Sequence, residues 1–136
     1  MACGAATTTF SIAEPFQEAV RSVREVLAAA NLSITGELDL SSRIRRRLLI
    51  RTKPCLILFV SPSGPALQAL SGDPHAAVQI PVHIVVSACG SGTEIHVLRV
   101  LPREGDPGDR LSALREVLAE ISRAMEKIAM RATLAP

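Results

Sequence analysis

His83 and His96 are the side chains whose type and spacing best suit chemistry in this chain of 136 residues. An imidazole titrates near neutral pH, relays protons and binds metals. Both sit in segments that read as strands, Ile80 to Ser87 and Thr93 to Val100, joined by the loop Cys89-Gly90-Ser91-Gly92. Side chains along a strand alternate between two faces, so the parity of that loop decides whether the rings meet. A four-residue loop pairs Ala88 with Thr93, sets His96 opposite Val85 and puts His83 diagonally on the same face. A three- or five-residue loop sends the rings to opposite faces. Even on one face, two ligands are one short of a catalytic zinc site. Nothing in the sequence brings Asp73 or His75 beside them. The expectation is therefore no metal and no catalytic residue, with His83 and His96 as ligand-binding candidates.

Cys3, Cys55 and Cys89 are odd in number and lack the Cys-x-x-Cys spacing of zinc knuckles and thioredoxin-like sites. They read as free thiols. A Cys55–Cys89 bridge stays open as an alternative if the start of one strand lies beside the end of another. Cys89 has no basic neighbour in sequence to lower its pKa. Ser61-Pro62-Ser63-Gly64-Pro65 is a glycine-containing turn ahead of a helical segment, and Ser61 and Ser63 are further ligand-binding candidates. Backbone N–H groups at such a turn can cradle an anion, but two prolines remove donors and no Gly-Lys-Ser/Thr follows. No serine has the Gly-x-Ser-x-Gly spacing of a nucleophile elbow.

Arg43, Arg45, Arg46, Arg47, Arg51 and Lys53 form one basic cluster in a chain of net charge +2. Arg43, Arg46 and Arg47 fall on neighbouring faces of a helix and are the anion-binding candidates. A solvated helix face is the simpler reading, because aromatic residues for base stacking are absent from it. Only Phe10, Phe16 and Phe59 are aromatic, with no Trp and no Tyr, so a nucleic-acid partner is not expected. Arginine far outnumbers lysine, which fits a GC-rich genome and a hot habitat.

The elements that must position these groups follow from periodicity. Thr7 to Ile12 is rich in β-formers. Pro15 opens a helix that runs to about Ala30, with Phe16, Val20, Val23, Leu27 and Ala30 on one stripe and Asn31 as a left-handed stop. Leu32 to Leu38 alternates as a half-buried strand containing a weak glycine. Asp39 to Ser42 caps a helix that carries the arginines and ends before Pro54. Cys55 to Val60 is a continuous apolar run that reads as a central strand buried on both faces. A short helix is expected over Pro65 to Leu70, and a long one from about Asp109 to Ala132. The latter carries the stripe Leu111, Leu114, Leu118, Ile121, Met125 and Ile128.

The order is β-α-β-α-β-α-β-β-α over a single domain, with residues 1–5 a loose N-terminus. This predicts an α+β, two-layer α/β sandwich: one mostly antiparallel or mixed five-stranded sheet, with two long helices on one face. The other face would be bare in a monomer, so a homodimer is expected. No apolar run reaches the 18 or so residues of a membrane span, and the N-terminus lacks the features of a secretory signal. A cytoplasmic location without membrane contact is the expectation.

From Phe16 to Pro102 the chain resembles the bacterial and archaeal family known as domain of unknown function number 302. The marks are the amphipathic helix followed by the aliphatic strand Leu32 to Leu38, and the strand Cys55 to Pro62 closed by a proline. A short Ala/Leu helix from Ala66 to Leu70 and the segment Ile80-Pro81-Val82 opening a valine-rich strand complete them. Val82 stands where many members carry cysteine, and Asn31-Leu32 where Gly-Phe is usual. The resemblance implies a compact α/β fold, a dimer and no established reaction. The functional expectation is a non-enzymatic homodimeric module, without cofactor, that binds a small ligand or a protein partner. One alternative is a metal- or thiol-dependent activity at His83, His96 and Cys89. A second is anion or nucleic-acid binding through the cluster from Arg43 to Arg51.

Overall fold

A computed structural model describes residues 7–62, 64, 68, 72, 81–98 and 108–134; in the last segment, side chains are described over 116–129. The strands are β1 (Thr7–Ile12), β2 (Ser33–Asp39), β3 (Cys55–Ser61), β4 (Val82–Cys89) and β5 (Gly92–Leu98). The helices are α1 (Phe16–Ala29), α2 (Leu40–Leu48) and α3 (Gly108–Leu134). The chain is α+β, with one five-stranded sheet in the order β1-β5-β4-β3-β2. Every pairing is antiparallel. The short helix expected over Pro65 to Leu70 lies outside the described residues, apart from a backbone bond from the Gln68 N–H to the Gly64 carbonyl.

Alternation builds the core. In β3, Leu56, Leu58 and Val60 are buried while Cys55, Ile57, Phe59 and Ser61 are half-buried. Leu58 pairs with Ile84, and Ile84 with Val97. Those residues therefore share a face with Val82, Val86 and Ile95. The face joins Val23, Val26 and Leu27 of α1 and Val117, Leu118, Ile121, Ala124, Met125 and Ile128 of α3 in one hydrophobic cluster. The expected stripe of the last helix is present from Leu118 onward; Leu111 and Leu114 have no described side chains. In α1 the fully buried line runs through Ala19, Val23 and Leu27, leaving Phe16, Val20 and Ala30 at its margin.

Asn31 ends α1 as its side-chain chemistry suggests, with φ at 59°. Its N–H bonds the Ala28 carbonyl at 3.1 Å, and the Leu32 N–H bonds the Leu27 carbonyl at 2.9 Å. That pair of bonds is a Schellman cap, and it satisfies carbonyls the helix end would leave open. Leu32 is buried directly after it.

Three local features differ from the simple periodic reading. A bulge between Ile34 and Gly36 shifts the register of β2 against β3. An extra residue reverses the facing of everything after it. Ile34 lies opposite core-facing Val60, but Leu38 lies opposite Ile57 on the other face. Glu37, opposite Leu58, comes to the helix side and pairs with Arg24 of α1. Next, the arginine helix is short and ends before Pro54 as expected, but a local cap ends it: Leu49 takes a left-handed φ of 55° and its N–H bonds the Arg45 carbonyl at 3.0 Å. Last, pairing in the β4–β5 hairpin extends to Cys89 and Gly92, leaving a two-residue turn. Gly90 takes φ of 60° there, as a glycine-first hairpin turn requires. Gly92 is fixed by close approach, since a Cβ on it would lie 2.6 Å from the Ile12 carbonyl oxygen.

The cap sets a testable expectation. Asn31→Gly should lose less stability than a branched residue at the same position, because glycine accepts the left-handed backbone. Asn31→Val, which places a branched Cβ in left-handed backbone, should cost about 1–2 kcal/mol in urea unfolding.

Candidate functional site

Parity is settled by the hairpin. Ala88 pairs with Thr93 and Val85 with His96, so His83 and His96 lie diagonally on one face, the face opposite the core. The two-residue turn preserves the parity of a four-residue loop. His83 is exposed. It pairs with Phe59 across the ladder and stands edge-on to that ring, centroids 6.0 Å apart at 80°.

His96 is half-buried and held from both sides. Its Nδ1 lies 3.0 Å from the Thr9 hydroxyl on edge strand β1. Its Nε2 lies 3.4 Å from the Ser87 hydroxyl and 3.8 Å from a Glu94 carboxylate oxygen. With the proton on Nε2, facing Ser87 and Glu94, Nδ1 accepts from the Thr9 hydroxyl. This row of hydroxyls around an imidazole can pass a proton, but it lies on an open sheet. Among the described residues no three His, Cys, Asp or Glu side chains converge as a metal site.

The thiols sit at the hairpin end of the same face. Both are free, with Cys55 half-buried and Cys89 exposed. Cys55 pairs with Ser87, so Cys89 lies two residues beyond it along β4 and the pair is offset. The Glu94 carboxylate pushes the Cys89 thiol up, first by accepting its hydrogen bond and then by its charge, with Lys53 opposing weakly. Burial pushes the Cys55 thiol up, and the Asp39 charge adds to it. Both are therefore poor nucleophiles at neutral pH.

Arg43, Arg46 and Arg47, spaced i, i+3, i+4, line one surface depression of about 400 Å³ together with Glu37, Leu38 and Asp39. All three arginines are exposed. On its other side, between α1 and α2, a groove of about 480 Å³ has Phe16, Val20 and Leu56 beneath Asp39, Ser42 and Arg45. Asp39 holds α2 in place. Its Oδ1 accepts from the Ser42 N–H at 3.0 Å and the Ser41 hydroxyl at 2.7 Å. The Ser41 oxygen in turn accepts from the Cys55 N–H at 3.3 Å. These bonds, the Ser42 N–H first, hold the Asp39 carboxyl below its ordinary 3.8.

The family model described as Domain of unknown function DUF302 matches residues 8–128. The chain belongs to that family. Its fold is similar to the crystal structure of an uncharacterized conserved DUF302 protein from Bacillus stearothermophilus, with a TM-score of 0.75 and 16% identity. That match covers 90% of this chain and 97% of the other, and at such identity it speaks of the fold alone. No curated protein matches.

In this DUF302 chain the sequence-read candidates thus divide. His83 and His96 share the outer face with Ser61, which closes β3 opposite Ser33. Ser63 lies outside the described residues. The arginines stand apart, at the edge beyond the Cys55 end of β3. Thr9, Ser87 and Glu94 were missed as partners of His96. The i, i+2 spacing of Glu94 and His96 was a usable signal, whereas Thr9 needs the non-local β1–β5 pairing.

Two measurements follow. Asp39→Ala should cost about 1 kcal/mol at pH 7 by loss of the cap. The carboxyl titrates lower folded than unfolded, so its contribution is present above about pH 4 and shrinks as pH falls through the depressed value. Urea midpoints of the two proteins should accordingly converge on acidification. In a Cys3→Ser background, Cys89 should alkylate slowly with iodoacetamide at pH 7, and Glu94→Gln should speed it severalfold.

Proposed function

We propose that this DUF302 protein is a non-enzymatic, cytoplasmic binding module that works as a homodimer through its outer sheet face. One observation carries the reading. The outward positions from the central strand to the β2 edge are Val85 on β4, Ile57 and Phe59 on β3 and Leu38 on β2, all half-buried. A sheet face turned to water ordinarily alternates to polar residues. Here β3 stays apolar on both faces, which favours a second apolar layer over it. His83, with Phe59, and the Thr9–His96–Ser87 row flank this centre and supply polar groups to a rim. Arg43, Arg46 and Arg47 line a depression with Leu38 at one corner of this face, so face-to-face pairing of two copies keeps those corners apart. The groove between α1 and α2 offers a small ligand an apolar floor with a carboxylate, a hydroxyl and a guanidinium above it. Its volume falls in the range of small-molecule sites.

Electrostatics at the thiols weigh against the thiol-dependent alternative, since both are driven towards the protonated form. The reading predicts that the purified chain has twice the mass of one protomer in light scattering. Phe59→Glu or Val85→Glu should halve that mass and leave the helical circular dichroism intact, because both side chains point away from the core. A wild-type chain that stays monomeric at high concentration would sink the proposal.

A further inference from the structure

Leu48, Leu49 and Ile50 are consecutive and are 63%, 87% and 54% exposed. No other large hydrophobic residue among those described is exposed to that degree. A contiguous apolar patch on a surface marks a place of contact. The segment that carries it is equally unusual. No residue of α2 is buried, so the helix is not there to fill the core. Leu49 closes it in left-handed backbone, a conformation leucine adopts at a cost.

The charge around the patch selects what it meets. Between residues 43 and 53 the chain has six cationic side chains and from 40 to 53 no acidic one; of the carboxylates beside the arginines, Glu37 pairs with Arg24 and Asp39 caps α2. Arg43, Arg45, Arg46, Arg47, Arg51, Thr52 and Lys53 are all exposed. A second copy docking on the patch by two-fold symmetry would set this charge against itself. A nucleic-acid backbone would satisfy the arginines but give three aliphatic side chains nothing to enter, and residues 40–53 include no aromatic one to stack on bases. An anionic lipid surface satisfies both at once: phosphates at the depth of the guanidinium groups, and the acyl boundary beneath for the aliphatic tip.

We propose that α2 and the turn after it form a peripheral docking site for an anionic lipid bilayer. Leu48, Leu49 and Ile50 enter the interface, while Arg43, Arg46, Arg47, Arg51 and Lys53 engage the headgroups. No described helix is long and apolar enough to cross a bilayer. In this mode the chain lies on the membrane rather than through it, which requires no long apolar run. The site adjoins the outer sheet face at Leu38, which lines a depression with Arg43, Arg46 and Arg47, but its aliphatic tip does not depend on dimerisation there.

The test is co-sedimentation of the full chain with vesicles of phosphatidylcholine alone, and with vesicles in which a third of the lipid is phosphatidylglycerol. Retention on a heparin column is measured in parallel. The wild type should bind the anionic vesicles and release them as salt rises. Removing three positive charges in Arg43→Gln/Arg46→Gln/Arg47→Gln should weaken binding about a hundredfold, at roughly fivefold per arginine. Leu48→Ser/Leu49→Ser/Ile50→Ser keeps the charge and should lose most vesicle binding while heparin retention stays as in the wild type. Both variants should melt like the wild type, because every substituted side chain is exposed; a single substitution, Leu49→Ser, serves if the triple does not fold. Failure of the wild type to bind anionic vesicles overturns the proposal. So does an aliphatic variant that binds them as well as the wild type, which would mark the patch as a polyanion or protein site instead.

Discussion

Ile84 lies between Leu58 and Val97 in the middle of the sheet, and its side chain is fully buried. The register that puts it there governs the rest of the molecule. Slipping β4 by one residue against its neighbours would exchange its two faces. Val82, Ile84 and Val86 would turn outward, and His83, Val85 and Ser87 would turn into a core built almost wholly of aliphatic side chains. Burying an imidazole and a hydroxyl there without partners costs several kcal/mol. The glycine-first turn at Gly90 pins the register locally. The close approach of Gly92 to the Ile12 carbonyl pins it from the far strand.

The bulge in β2 has a comparable reach. One extra residue near Thr35 returns Leu38 to the outer face and brings Glu37 and Asp39 to the helix side. Glu37 can then meet Arg24, and Asp39 can cap α2 and, through Ser41, hold the first N–H of β3. Without the bulge, the cap would project from the wrong side of an edge strand. The position of α2 outside the core, with its arginines and aliphatic end in water, is thus tied to one irregularity in the ladder.

Two surfaces of opposite character result. The outer sheet face is broad, half-apolar and weakly charged, and its histidines are already engaged by Phe59, Thr9 and Ser87. The α2 edge is narrow, strongly cationic and tipped by aliphatic residues. On the first, few charges must be stripped of water for another apolar surface to cover it. On the second, complementarity favours a partner of opposite charge. The small chemistry available to the chain lies on the first surface. There the imidazole has hydroxyl and carboxylate neighbours, and one of them, Glu94, pushes the Cys89 thiol up.

Much of this was legible along the chain, for identifiable reasons. Strands and helices declared themselves through periods of 2 and 3.6, because each element has one face to bury. Asn31 as a left-handed stop could be read because asparagine tolerates positive φ, and Asp39 as a cap because its carboxylate reaches a nearby backbone N–H. The shared face of His83 and His96 came down to the parity of one short loop, and the sequence could state both outcomes without choosing. What tertiary structure alone decided was non-local. It brought Thr9 to His96 through pairing of the first strand with the fifth. It reversed the end of β2 through a bulge that leaves no unique residue signature. It also left Leu48, Leu49 and Ile50 in water. Their apolar character is the same whether a residue faces core or solvent; only the path of the chain after Leu49, turned by a single positive φ, determines which of the two it meets.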